Sequence, residues 1–140
     1  MSAPTPGAED EHEVAIASSG DVVKARQVIR TLAQRSRLSL VDQTKLVTAA
    51  SELARNTLIY GGGGQMHARL LREDGRSGVW ASFSDQGPGI PDIELALTDG
   101  WSSGRGMGLG LSGARRLVDS FDLRSGAGEG TSVTVVKWAR

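Results

Sequence analysis

Three short segments carry residue types that can do chemistry together. The first contains Glu52 and Asn56, the second is Asp-Gln-Gly-Pro-Gly at 85–89, and the third is the glycine-rich stretch 104–110. Glu52 and Asn56 are four residues apart, so they would share one face of a helix. A carboxylate and an amide on one face, a second carboxylate beside a glycine turn, and a glycine-rich lid are the parts needed to hold a nucleotide with its Mg²⁺. They would also serve to move a phosphoryl group.

Each segment taken alone also has an ordinary structural interpretation. A Glu and an Asn on a helix are commonly an exposed helix edge, and Asp-x-Gly-x-Gly is commonly a turn after a strand. In the functional interpretation, Asp85 accepts a hydrogen bond from an exocyclic amine such as that of adenine, and Gly87 and Gly89 let the backbone approach a flat base. The three segments together, each on a suitable element, favour the functional interpretation.

The third segment resembles a dinucleotide-binding pattern, but its context argues against one. Residues 108–113 match G-x-G-x-x-G, a pattern that should follow a strand within a βαβ unit. Here the preceding residues 98–103 are not strand-like. A helix beginning near Leu109 would instead offer free N–H groups and a positive dipole end to a phosphate. The sequence has no P-loop lysine, so phosphate charge would be met by backbone amides, Mg²⁺ and Arg105.

Hydrophobic periodicity predicts the elements that position these segments. We expect a strand over 13–18, a helix over 21–37, and a second helix from Ser39 to the glycines at 61–64, with Ser39 and Asp42 resembling a capping box. A hairpin of strands 65–72 and 78–84 follows, with a turn over 73–77. Helices over 92–97 and 109–121 precede strands over 122–125 and 131–138. This order predicts an α/β fold, more specifically an α+β two-layer sandwich, with a mostly antiparallel sheet and its helices on one face.

Composition limits the function further. The 140 residues predict one domain over 13–140 behind a flexible leader over 1–12. Sixteen basic and sixteen acidic residues cancel, so no nucleic-acid or anionic-membrane footprint is expected, and Lys137 and Arg140 are expected to be solvated. There is no cysteine, which excludes disulfides and thiolate sites. No membrane-length apolar run or signal peptide is recognisable, so the cytoplasm is the expected location.

The three segments resemble the N, G1 and G2 boxes of the Bergerat-fold (GHKL) ATPases, which include gyrase B, Hsp90 chaperones, histidine kinases and MutL. The residues around these boxes narrow the resemblance to small switch kinases of the RsbT type. They are 51–56, 85–92, 126–131 and the terminal Val-Lys-Trp at 136–138. It covers nearly the whole chain, from about residue 14 to residue 140.

The resemblance implies a mixed, mostly antiparallel sheet with an ATP site between it and the helices. It also implies that Asn56 supplies an oxygen to Mg²⁺, that Glu52 is the catalytic carboxylate, and that Asp85 binds the adenine amine with Gly87 and Gly89 beside the base. Thr131 would sit near the adenine. The implied phosphate lid is 104–110, with cofactor-binding residues Arg105, Gly106, Gly108, Leu109 and Gly110.

The resemblance implies a serine/threonine protein kinase that phosphorylates a STAS-domain antagonist, switches partners and activates a PP2C-type phosphatase in a stress or sigma-factor pathway. Glu52 acting as a base toward water would instead give an ATPase. The alternative function is an ATP-binding anti-sigma factor that sequesters a sigma factor, and a third is an interaction domain whose glycines only make turns. Histidine-kinase activity is disfavoured, because no helix pair carries a phospho-acceptor histidine.

Overall fold

The computed structural model describes residues 10–98 and 110–140. Its elements follow the predicted order of strand, two helices, hairpin, helices and hairpin, although the second helix of the last pair is shorter than predicted. They are β1 (Glu11–Ile16), α1 (Ser19–Arg35), α2 (Leu40–Ile59), β2 (Gly64–Glu73), β3 (Arg76–Asp85), α3 (Ile93–Ala96), α4 (Leu111–Arg116), β4 (Ser120–Ser125) and β5 (Thr131–Trp138). None of the helices in these two ranges has the length and apolar character that crossing a membrane requires.

The strands form one five-stranded sheet in the order β1-β2-β3-β5-β4. Every pairing recorded within the described ranges is antiparallel. One face of the sheet packs on α1 and α2, because alternate strand residues such as Met66, Phe83 and Val135 are buried against helix residues such as Ile29 and Leu53. The predicted two-layer α+β fold, with helices on one face, is confirmed.

The local signals for α2 act as predicted. Ser39 is the N-cap and accepts a hydrogen bond from the Asp42 N–H at 3.1 Å. The Asp42 side chain does not complete a capping box. Its Oδ1 lies 3.6 Å from Nζ of Lys137, which is also 3.9 Å from Asp119. The expectation that Lys137 is solvated is therefore wrong: this residue is only 5% exposed. Arg140 also pairs with Asp119, although it is exposed.

Predicted boundaries differ from the structure at several elements, including β1, the β2–β3 turn and α4. Strand β1 begins and ends two residues earlier than predicted. The hairpin turn consists of only Asp74 and Gly75, both with positive φ (52° and 79°), which is the preferred geometry for a two-residue hairpin loop. Helix α4 ends at Arg116 and not at residue 121, since Phe121 and Leu123 alternate with exposed neighbours and pair with β5. The predicted helical position of Phe121 is wrong because the residue faces inward from a strand.

Candidate functional site

The clearest candidate site is a cavity of about 140 Å³ between α2, the sheet and the loop after β3. Its walls are largely apolar, and its polar groups include the side chains of Asn56, Asp85 and Thr131. The residues that line it are Leu53, Asn56, Thr57, Tyr60, Gly61, Phe83, Asp85, Pro88, Gly89, Ile90, Pro91, Leu111, Thr131 and Val133. A flat apolar ring with one hydrogen-bonding edge matches a wall of this composition.

Helix α2 presents the predicted pair, Glu52 and Asn56, on one face. Asn56 lines the cavity. Glu52, one turn earlier, lines a neighbouring groove of about 340 Å³ between α2 and α4. Both residues are half-buried. The structure therefore separates the two roles that the resemblance implies, with the amide at the cavity and the carboxylate at the adjoining groove.

Asp85 ends β3 and lines the cavity. The Gly87 N–H donates to Asp85 Oδ1 at 2.8 Å. Asp85 also pairs in register with Thr131 of β5, whose backbone hydrogen-bonds to the carboxylate. Burial raises the pKa of Asp85, and the hydrogen bonds from Gly87 and Thr131 oppose that rise. The site thus holds a partly desolvated carboxylate in the wall of the cavity.

A hydrogen-bonded clasp holds the loop after β3 against the loop between β4 and β5. The Gly128 N–H donates to the Pro88 carbonyl at 2.7 Å. Ser125 Oγ accepts from the Ile90 N–H at 2.7 Å, donates to the Gly130 carbonyl at 2.8 Å and lies 2.9 Å from the Thr131 hydroxyl. The loop that walls the cavity is therefore fixed by the neighbouring hairpin.

Two of the predicted glycines are required by the geometry. Gly89 has φ +78°, and a Cβ there would collide with the carbonyl of Gly126 across the clasp. Gly110 has φ +66° as the N-cap of α4, and a Cβ there would collide with the carboxyl group of Glu52. Gly110 consequently allows α4 to begin directly against the Glu52 side chain.

The predicted residues fall into three groups. Asn56, Asp85, Gly89 and Thr131 line one cavity, with Gly87 bonded to the Asp85 carboxylate. Glu52 and Gly110 line the adjoining groove. The remaining lid predictions lie outside the described residues: Arg105, Gly106, Gly108 and Leu109.

Sequence reasoning missed several wall residues and the clasp. Thr57 follows Asn56 on α2, Tyr60 is the C-cap of that helix, and Ile90 and Pro91 follow the Asp-x-Gly-x-Gly segment. Their signal was adjacency to a predicted site residue together with apolar or small side chains. Ser125 carried no such signal, because a serine at the end of a strand is unremarkable in sequence.

The side chains that line the cavity suit a metal ion that takes most of its ligands from a bound nucleotide and from water. Among residues 10–98 and 110–140, no group of three His, Asp or Glu side chains could enclose a metal. Mg²⁺ commonly takes one or two protein oxygens and completes its shell with phosphate oxygens and water. A single amide oxygen at the cavity, from Asn56, fits that requirement.

Comparisons with known proteins identify the family of the chain. Residues 41–139 match the model of the histidine kinase-, DNA gyrase B- and HSP90-like ATPases. The chain is 44% identical to the serine/threonine-protein kinase RsbT of Bacillus subtilis (strain 168) over 94% of its own length and 98% of that relative.

Two solved structures resemble this chain in their fold. The RsbU and RsbW domains of a Mycobacterium tuberculosis protein match with a TM-score of 0.65 and 25% identity, over 99% of this chain and 34% of that one. The catalytic domain of the histidine kinase ThkA shares the fold, with a TM-score of 0.50 and 15% identity over 90% of this chain and 95% of that domain. The chain therefore belongs to the histidine kinase-, DNA gyrase B- and HSP90-like ATPase family and, within it, to the serine/threonine-protein kinases of the RsbT type.

Proposed function

We propose that this kinase transfers the γ-phosphate of ATP to a serine or threonine of a STAS-domain antagonist. The observation that carries the proposal is the placement of Glu52 in an open groove beside the cavity that Asn56 and Asp85 line. A nucleotide base in the cavity leaves the groove accessible to a hydroxyl group of another protein. The 44% identity to a serine/threonine-protein kinase over nearly the whole chain supports the choice of reaction.

In this proposal each residue performs a separate task. Asp85 accepts a hydrogen bond from the adenine amine, and Thr131 and Gly89 border the base. Asn56 supplies an amide oxygen to Mg²⁺, which when bound offsets phosphate charge. Glu52 accepts the proton of the attacking hydroxyl, a contribution of about 10²–10⁴-fold for a positioned base. Arg105, Gly106, Gly108, Leu109 and Gly110 would cover the phosphates.

We further propose that phosphorylation of the antagonist releases the kinase to activate a PP2C-type phosphatase, as the RsbT-type resemblance implies. The reaction consumes ATP, which supports a cytoplasmic location. In the same proposal, the kinase domain begins with β1 (Glu11–Ile16), so residues 11 and 12 belong to the domain and not to the predicted leader. The proposed partners are proteins, with no role for nucleic acid or a membrane.

Phosphoryl transfer from labelled ATP to purified STAS-domain proteins tests the proposed reaction. Glu52→Gln should lower the transfer rate by about 10²–10⁴-fold while nucleotide binding persists, because Glu52 lines the groove and not the cavity. The matched control is Glu11→Gln, an exposed residue on β1, which should transfer at the wild-type rate. An unchanged rate in Glu52→Gln removes Glu52 from the proposed role.

The proposed role of Asn56 in binding Mg²⁺ and the alternative function are tested with the same purified protein. Added Mg²⁺ should raise the nucleotide affinity of the wild type but not that of Asn56→Ala. If Mg²⁺ raised the affinity of the variant and of the wild type equally, Asn56 would not have the proposed role. Sequestration of a sigma factor would appear as a stable, ATP-dependent complex with that factor and no phosphoryl transfer to any STAS-domain protein. That pair of results would replace the kinase proposal with the anti-sigma alternative.

A further inference from the structure

An exposed apolar pair lies at the start of α2, the helix that carries Glu52. Leu40 and Val41 have 74% and 65% of their surface exposed, and they are the two most exposed of the large apolar side chains in the described ranges. Neither belongs to the hydrophobic core. Isolated apolar residues are common on protein surfaces, so what matters here is where this pair lies relative to Glu52.

Helical geometry places Val41 and Glu52 on the same face of α2. Eleven residues separate them, which is three full turns and about 20°. Their side chains therefore leave the helix in nearly the same direction, about 16 Å apart along its axis. The exposed residues on this side of α2 before Glu52, here named the α2 stripe, are Leu40, Val41, Thr44, Lys45 and Thr48.

The α2 stripe ends at a hydroxyl group that is open to a partner. The other hydroxyl-bearing residues of α2 are Thr44, Ser51 and Thr57, and each donates to the carbonyl oxygen one turn earlier. The Thr48 hydroxyl has no hydrogen-bond partner among the described residues, and Thr48 lines the groove one turn before Glu52. A bound protein can therefore hydrogen-bond to Thr48 beside the proposed base.

The opposite wall of the groove leaves room for a protruding loop. It is formed by Gly110, Gly113, Ala114 and Leu117, from α4 and the positions on either side of it. Gly113 is exposed, and a Cβ added there would meet nothing within 4 Å. Space for a loop that carries a serine or threonine thus lies between the two helices.

The α2 stripe and the groove are held together by a buried ion-pair network. Asp42, next to Val41, lies 3.6 Å from Nζ of Lys137, and the same Nζ lies 3.9 Å from Asp119. Lys137 therefore ties the start of α2 to the segment that follows α4. A surface that is fixed in this way loses little freedom when a partner binds.

We propose that the α2 stripe docks the protein that this kinase phosphorylates. An apolar side chain of that protein packs on Leu40 and Val41 while its serine or threonine enters the groove. The inference rests on the proposed function, in which Glu52 accepts the proton of the hydroxyl group. A protein must then cover the groove, and a standard interface of about 800 Å² per partner is roughly 30 Å across. That width includes both Glu52 and Val41.

Apolar contact and not charge should hold this partner. Lys45 is the one charged residue of the α2 stripe. The probes are the purified STAS-domain proteins of the same genome, titrated into the full chain with a non-hydrolysable ATP analogue. Wild type should bind one of them with an affinity that does not fall as salt is raised, because salt screens charges and leaves apolar burial in place.

Val41→Asp tests the apolar contact. It should weaken binding of the STAS-domain protein, and raise the KM for its phosphorylation, about tenfold, the lower figure for burying one such side chain. The kcat and the ATP affinity should not change, because Val41 lies three turns from Glu52. The unfolding midpoint should stay equal or rise, since aspartate suits the first turn of a helix. The matched control is Val23→Asp on α1, 42% exposed, which should dock as wild type does.

Two further variants test the path from the α2 stripe into the groove. Thr48→Val keeps the shape of the side chain and should weaken docking about fivefold through loss of one hydrogen bond. Gly113→Leu fills the open space on the α4 side and should weaken docking about tenfold or more. Its unfolding midpoint should stay equal or rise, because leucine is a better helix former than glycine.

The outcomes separate this inference from the kinase proposal. Equal binding and equal KM in Val41→Asp and wild type, or loss of binding as salt rises, would overturn the docking surface even if phosphoryl transfer proceeds. Binding that Val41→Asp weakens, without any transfer, would support the docking surface and contradict the kinase proposal. Wild type that binds no STAS-domain protein would overturn the inference. A changed ATP affinity or oligomeric state of Val41→Asp alone would also overturn it, because the stripe would then contact this chain or a second copy.

Discussion

Replacing Asp85 by Asn should separate recognition of the base from folding. Asp85 Oδ1 already accepts from the Gly87 N–H at 2.8 Å. If the substituted asparagine keeps that bond through its one side-chain oxygen, its NH₂ group faces the cavity in place of a carboxylate oxygen. The adenine amine then meets a donor where it had an acceptor. The carbonyl oxygen that guanine carries at the same ring position would instead meet a compatible donor.

The size of the effect follows from the lost interaction. A hydrogen bond to a charged group contributes about 1.5–3 kcal/mol, which corresponds to a loss of about 10- to 150-fold in ATP affinity. We expect GTP affinity to fall less or to rise, so the ATP-to-GTP preference changes by at least the lower figure. Isothermal titration with Mg-ATP and with Mg-GTP measures both values on one preparation.

The pKa of Asp85 fixes the sign of the effect on stability. Burial raises this pKa in the fold, so the contribution of Asp85 to stability is fully present below the unfolded pKa and is lost as pH rises through the folded pKa. At neutral pH the ionised group opposes folding, and Asp85→Asn should match or exceed the wild-type melting temperature. The same raised pKa predicts that ATP affinity declines on acidification at a higher pH than for an ordinary aspartate.

Asp122→Asn is the matched control, since Asp122 is exposed on β4 and should change neither affinity nor stability. Equal loss of ATP and GTP affinity in Asp85→Asn would show that Asp85 does not read the base. Unchanged affinity for both nucleotides would remove Asp85 from the site. A large fall in melting temperature would mean that the carboxylate serves folding, which contradicts the reasoning from burial.

Three further substitutions test the supports of the site. Gly110→Ala forces a Cβ into the carboxyl group of Glu52, the proposed base, and should lower phosphoryl transfer about 10²-fold. Gly62→Ala, at φ +74° with nothing within 4 Å of the added Cβ, should keep the wild-type rate. Equal rates in the two variants would contradict the steric argument. Lys137→Met leaves the carboxylates of Asp42 and Asp119 without their buried cation. Urea titration should show a free energy of unfolding lower by about 3 kcal/mol. A loss near zero would show that the two ion pairs contribute nothing to stability. Ser125→Ala removes the hydrogen-bond acceptor of the Ile90 N–H and should reduce ATP affinity about tenfold, measured by isothermal titration. Unchanged ATP affinity would show that the clasp does not support the cavity.

The sequence predicted the elements because each rests on a local signal, whereas the grouping of Asn56, Asp85, Gly89 and Thr131 in one site was implied by the family resemblance. Helical spacing, a cap at Ser39 and alternating strands act over a few residues. No local signal predicts that Asn56 lines the cavity while Glu52 lines the adjoining groove. This division depends on where α4 begins, and that is set by contact of Gly110 with another helix.

Two other features lay beyond a local reading for the same reason. Lys137 looked like part of a charged tail, but the pairing of β5 carries it under Asp42 and Asp119. Ser125 gains its role only when two loops distant in sequence meet. Contacts between distant segments therefore account for what the sequence left unpredicted.

The direction of the stability change distinguishes functional from structural charge in this fold. Asp85 is partly desolvated, and burial outweighs the hydrogen bonds from Gly87 and Thr131, so its ionised form is disfavoured in the fold. Replacing it by Asn should leave stability equal or higher while ATP binding falls. Lys137 is the opposite case, since its buried charge is paired and removing it should lower stability. If Asp85→Asn lowered stability as Lys137→Met does, the Asp85 carboxylate would be part of the scaffold, and its assignment to base recognition would lose this support.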